Sequence, residues 1–237
     1  MFGVIFVSDF DVTKDFDFAD FGCSTGGSIQ YGLDKFDGKR GVGFDIDPEK
    51  VKRTRENGYD AIEMDVLDLA LHPNHFRFVL MSHFLEHLPN QSLALKCMEA
   101  GVMAATEFVF IRQPLFADDY LAQFGLKFYW SDWKGHRNHM TILDFYKSIR
   151  SLQYEGGWRI YGWKPIQDSD HEFVHPIEGP IDQHSYEVDK HGIKPSIVFN
   201  PNLYAEIMVL IYHSGVDPEP LEAKFKPAKL LLASESG

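Results

Sequence analysis

Cysteine is nearly absent from this chain: its 237 residues include two, Cys23 and Cys97. Two thiols cannot build a disulfide framework and suit a reducing compartment, so the expected location is the cytoplasm. Long apolar runs are missing as well, and none approaches the ~20 residues of a membrane span. The opening stretch MFGVIFVSDFD has no basic start and meets acids early, which makes it a poor signal peptide. Basic residues are in deficit, with 23 Lys and Arg against 35 Asp and Glu, a net charge of −12. A field of that sign repels phosphate backbones and argues against nucleic acid as a partner. The rest is ordinary: 44% hydrophobic and 24% charged residues describe a soluble globular protein large enough for one α/β domain.

Short apolar runs alternate with helical segments over the first 150 residues. Strands are expected near 18–22, 39–47, 59–65, 76–82 and 107–114. Asp47-Pro48-Glu49 is a helix start, with an N-cap, a first-turn proline and an early acid. Pro89-Asn90 starts another helix, and Thr141-x-x-Asp144 is a capping box. Strands near 158–166 and 204–212 close the series. The alternation predicts a doubly wound, mostly parallel seven-stranded sheet with helices on both faces. Residues 1–215 read as a single domain with a polar insertion at 167–203, and 216–237 as an exposed tail.

The stretch DFADFGCSTGGS, residues 17–28, holds the chemistry. Gly22-Cys23-Ser24-Thr25-Gly26 is formally the G-x-S-x-G elbow of a serine hydrolase, but Ser24 has too little chain before it for that scaffold. The same residues fit the glycine-rich turn that opens a nucleotide-binding βα unit. That reading requires an acid about 20 residues on, at the end of the next strand, to bind a ribose diol. Asp45, closing GVGFD, stands there. The third glycine of a strict dinucleotide fingerprint is lacking, which disfavours a nicotinamide oxidoreductase.

The succession DFGCSTGGS, GFDIDPEKV, EMDVLDL and FRFVLMSHFLEHLP resembles the motif series of the Rossmann-like (class I) S-adenosylmethionine-dependent methyltransferases. The resemblance implies S-adenosylmethionine as cofactor. It implies that Asp20 and Gly22 line the methionine part, with Cys23, Ser24 and Gly26 forming a turn the cofactor approaches. Asp45 would bind the ribose, Ile46 would pack on adenine, and Asp65 with Val66 would face its amino group. Ser82 and His83 would lie beside the transferred methyl. Ser24, where glycine is usual, and Arg77, where an acid is common, depart from the pattern; Arg77 bears on the start of its strand rather than on the site.

His83-Phe84-Leu85-Glu86-His87 is formally H-x-x-E-H, a zinc-protease pattern, but a zinc site of that kind needs a long helix and a third ligand. The expectation is therefore no metal. His136, in a G-H-R-N-H segment resembling the acceptor-covering loop of family members, is the candidate for acceptor contact or proton removal. Phe84, Arg112 and Trp133 are carried as acceptor contacts, while Trp130, His139 and the histidines at 171, 175, 184 and 191 read as packing or surface residues. The activity implied is methyl transfer to a small molecule or a glycan intermediate. A methyltransferase-like subunit without catalysis is the alternative.

Overall fold

A computed structural model describes residues 16–234; the opening stretch MFGVIFVSDFD lies outside them. The chain runs β1 (Phe18–Phe21), α1 (Gly27–Lys35), β2 (Gly41–Asp45), α2 (Pro48–Glu56), β3 (Asp60–Glu63), a 3-10 turn (Val66–Leu71) and β4 (Phe76–Ser82). A second 3-10 turn (Leu85–His87), α3 (Gln91–Ala104), β5 (Ala105–Pro114), α4 (Asp118–Ala122), β6 (Leu126–Phe128) and α5 (Ile142–Ser151) follow. Next come β7 (Gly156–Asp168), β8 (Val174–Pro176), α6 (Val188–His191), β9 (Val198–His213), α7 (Glu219–Ala223) and β10 (Lys229–Ala233).

The helix starts follow local chemistry. The Asp47 carboxylate accepts from the Glu49 amide at 2.9 Å, and Asn90 accepts from Leu93 at 3.0 Å, each satisfying a donor that the first turn leaves open. Thr141 and Asp144 close both halves of the capping box before α5.

The main sheet has the order β10-β7-β9-β5-β4-β1-β2-β3. β3, β2, β1, β4 and β5 run parallel, while β9, β7 and β10 add by antiparallel pairing. Its central strands are covered on both sides, so successive residues enter different cores. In β5, Phe108 and Phe110 join an aromatic cluster with Phe18, Phe36 and Phe78, while Val109 and Ile111 enter the opposite, aliphatic core. Phe78 stacks between Phe18 and Phe108 at centroid distances of 4.6 and 4.9 Å.

Two expectations are corrected. The sheet has eight strands, because residues after 216 are no free tail: β10 pairs with the edge of β7. Phe225 is buried against Phe36 and Phe110, and Glu222 and Lys224 pair with Arg159 and Asp37. The apolar surface of one phenylalanine and an otherwise open strand edge draw this segment in.

The 167–203 segment is likewise partly regular. β8 pairs antiparallel with β6, and Val174 and Phe199 share a third core with Phe116, Leu121, Phe128 and Trp130. His175 and His191 are buried rather than at the surface. Desolvation first, then the neighbouring His191, pushes the His175 imidazole down to about 4, so it packs as a neutral ring. No helix among the described residues is long and apolar enough to cross a membrane.

Candidate active site

The site lies beyond the carboxyl ends of the parallel strands, where the sheet order reverses between β1 and β4. β1 ends in a turn that the chain bends over β2: the amides of Gly22 and Cys23 both donate to the Phe44 carbonyl, at 2.7 and 3.1 Å. α2 holds the turn down from the other side. Thr54 donates to the Ser24 carbonyl at 3.2 Å and Asn57 to the Thr25 carbonyl at 2.9 Å.

The turn needs its glycines. Gly22 has φ +76, and a Cβ there would meet the Phe84 ring at 2.4 Å; Gly26 has φ +88 and would meet Tyr59 at 2.4 Å. Ser24 takes the left-handed conformation as well, at φ 50, without being glycine. It is exposed, and among the described residues no acid–histidine pair is seen at its hydroxyl, as a hydrolase nucleophile would need. Cys23 is buried, and desolvation pushes its thiol up to about 11, which makes it packing rather than a nucleophile.

Two cavities meet at Gly22. The smaller, of about 110 Å³, is lined by Asp45, Ile46, Met64, Asp65, Val66 and Phe84 among others. The larger, of about 430 Å³, is lined by the turn, Ser28 and Tyr31 of α1, Ser82, His83 and His87 after β4, and Arg112 of β5. The structure thus brings together most of the residues assigned to the cofactor. Gly26 and Asp20 are the exceptions: neither lines a cavity, and Asp20 is fully buried on β1. Phe84, expected on the acceptor side, stands instead in the smaller cavity, because the chain after His83 folds back over Gly22.

The carboxylates carry the electrostatics. Asp20 on β1 is fully buried, and neither oxygen holds a hydrogen bond. Burial first, then the charge of Asp45, raises its carboxyl well above the usual range, with the approach of the Ser28 hydroxyl acting the other way. Asp45 accepts from the Asp47 amide at 3.0 Å through Oδ1, while its buried Oδ2 holds no hydrogen bond and has Lys50 Nζ at 3.7 Å. Asp65 caps the 3-10 turn by accepting from the Leu67 amide at 3.0 Å. Ile46 is 73% exposed, an apolar side chain offered to the cavity.

On the far side of Gly22 the environment changes. Arg112 donates to Glu206 and lies over Trp163 at 4.6 Å. His136 is half-buried; its Nδ1 lies 2.9 Å from the Trp130 carbonyl, and its ring is 5.1 Å from that of His87. Desolvation lowers its pKa, which keeps the ring neutral near pH 7. His139 is no solvated residue: it pairs with Asp118 at 2.8 Å, stacks on Phe116 and reaches the His136 carbonyl at 3.2 Å. The Asp118 contact raises its pKa, against the opposing effect of burial. Trp133 packs on His184 at 4.5 Å and lines neither cavity.

Arg77 sits at the opposite end of β4, bonded twice to Asp17 at 2.9 Å and away from both cavities. Residues missed in the sequence include Ser28 and Tyr31. Their three-residue spacing on the helix that follows the turn is the signal that would have found them.

Residues 19–101 match the family model of a methyltransferase domain. Over those residues the chain is similar to methyltransferase domains. No curated protein matches it in sequence. Among solved structures, the chain resembles a SAM-dependent methyltransferase from Archaeoglobus fulgidus at TM-score 0.56 and 14% identity, over 82% of this chain and 85% of that one. A SAM-dependent methyltransferase from Methanosarcina mazei aligns at TM-score 0.51 and 11% identity, over 84% and 92%. One from Thermotoga maritima, described as a possible histamine N-methyltransferase, aligns at TM-score 0.51 and 12% identity, over 84% and 83%. At these identities the likeness is one of fold. The mostly parallel sheet with its helices is the feature shared with these neighbours.

Proposed function

We propose that the protein binds S-adenosylmethionine across the two joined cavities and transfers its methyl group to a small-molecule or glycan acceptor. The observation that carries this is a set of buried carboxylate oxygens that hold no hydrogen bond, both of Asp20 and Oδ2 of Asp45, flanking a glycine turn. Unpaired buried carboxylates are costly, and a ligand bearing an ammonium and a diol satisfies both. Asp20 would take the ammonium and Asp45 the ribose diol, while Ile46, Val66 and Phe84 offer apolar surface to the adenine.

When bound, the cofactor supplies an electrophilic methyl on its sulfonium. The chain's residues then have to align the acceptor and exclude water. Ser82, His83, His87 and Arg112 line the space for the acceptor, and the 115–140 loop sets the His136 ring 5.1 Å from that of His87. The insertion braces that loop through β6–β8 pairing. With net charge −12, a nucleic-acid acceptor is disfavoured. Both cysteines are free and buried, in keeping with a cytoplasmic setting.

Calorimetry with S-adenosylhomocysteine and with NAD tests the reading. Saturable one-to-one binding of the first and none of the second is expected. Binding of NAD, or of neither, overturns it.

A further inference from the structure

The turn after β4 and the loop before α5 bring three ligating side chains to one place. One ligand atom each from Glu86, His87 and His136 lies within 4.8 Å of the others. The sequence reading set H-x-x-E-H aside for want of a long helix and a third ligand. The structure indeed has only a three-residue turn at Leu85–His87, but the third ligand arrives from the loop instead.

Glu86 is fully buried, and neither of its carboxylate oxygens accepts a hydrogen bond; the nearest basic group is His83 Nδ1, 3.3 Å from Oε1. A buried carboxylate left this way is destabilising unless something positive joins it.

The two imidazoles are set up in a matching way. Nδ1 of His87 lies 3.0 Å from the Gly135 carbonyl, and Nδ1 of His136 lies 2.9 Å from the Trp130 carbonyl. A carbonyl only accepts, so each Nδ1 carries the proton and each Nε2 is left with a free lone pair. Metal-bound histidines are oriented by this kind of donation to a backbone carbonyl. The loop is fixed to the turn as well: the amides of Arg137 and Asn138 donate to the Glu86 carbonyl at 2.9 and 3.1 Å, and Asn138 Nδ2 to the Leu85 carbonyl at 3.1 Å. His139, tied to Asp118, holds the His136 backbone from behind.

We propose that Glu86, His87 and His136 form a binding site for one divalent transition-metal ion at the wall of the larger cavity. Two imidazoles and a carboxylate suit zinc, cobalt, manganese or iron(II), and they leave coordination positions open. His87 also lines the cavity assigned to the acceptor, so an ion held there would stand beside that space. The inference rests on the methyltransferase reading for its consequence: the acceptor is a hydroxyl compound whose oxygen joins the ion. Coordination lowers the pKa of that hydroxyl, and its proton leaves to solvent. The His136 lone pair then serves the ion rather than the acceptor proton.

The test uses the full chain, free of any affinity tag, stripped with chelator and titrated with Co²⁺ alone. The expected result is one equivalent bound at micromolar affinity or tighter, with visible ligand-field absorption. Glu86→Gln keeps the side-chain shape and His87→Ala changes an exposed residue; each should weaken Co²⁺ binding about a hundredfold while the thermal midpoint is held. S-adenosylhomocysteine affinity of the stripped protein should stay within twofold of the loaded form. No saturable uptake of Co²⁺, Zn²⁺ or Mn²⁺ below millimolar, or uptake that neither substitution weakens, overturns the metal site. Failure of the stripped wild-type protein to bind S-adenosylhomocysteine would instead break the methyltransferase reading.

Discussion

The two cavities that meet at Gly22 are built in different ways. The smaller is walled by β2, β3 and the turns that follow them, so its lining comes from short consecutive stretches: Asp45-Ile46 and Met64-Asp65-Val66. The larger draws on the turn after β1, on α1, on the segment after β4 and on β5, so its lining comes from stretches far apart along the chain. One side of the site is local and the other is assembled over long range. The first is where a common ligand would bind; the second is where an individual acceptor would be selected.

The sharpest way to break that division is a pair of substitutions. His136→Ala should lower turnover about a hundredfold or more once an acceptor is in hand, while leaving S-adenosylhomocysteine affinity within about twofold. Equal loss of both would place His136 on the cofactor side. Asp45→Ala should do the reverse, costing roughly 1.5–3 kcal/mol, about ten- to a hundredfold, in S-adenosylhomocysteine affinity by calorimetry. Unchanged affinity in a folded protein would remove Asp45 from the site.

Asp20 gives the comparison a pH signature. Its folded pKa is raised, so the free protein is most stable with that carboxyl protonated and loses this contribution as pH rises through the raised value. A ligand ammonium prefers the ionised form. Cofactor affinity should therefore climb with pH across that interval, by up to about tenfold per unit, with proton release visible as buffer-dependent binding heat. Asp20→Asn should flatten the profile. A flat profile in the wild-type protein would mean that Asp20 meets no cation.

The smallest effect belongs to the turn itself. Ser24→Gly relieves a left-handed backbone worth roughly 1–2 kcal/mol and costs roughly 0.5–1 kcal/mol in unfolded-state entropy. A net stabilisation of about 0.5 kcal/mol is expected in urea unfolding. Ser24→Ala should leave cofactor binding near normal, since no hydroxyl is required there. Its loss would return Ser24 to a direct role.

How much could be read in advance follows from the same contrast. Asp45 sits at a fixed distance along one βα unit from the glycine turn, and Asp47-Pro48 and Thr141-x-x-Asp144 cap their own helices, so local physics alone places them. Phe84 shows the limit. Its spacing suited the acceptor side, yet the backbone after His83, itself at φ 51, turns it over Gly22 into the other cavity.

The sequence by itself determined the parallel core of the sheet, the glycine turn and the carboxylates around it, because strand burial, capping and turn conformation are decided within a few residues. Tertiary structure alone decided that residues after 216 close the sheet edge, where Phe225 finds an aromatic pocket built from α1 and β5. It alone seated the insertion against the 115–140 loop. It also brought His136 to Glu86 and His87, 50 and 49 residues away along the chain. Contacts at that separation depend on how the loop packs, and spacing along the chain carries no record of it.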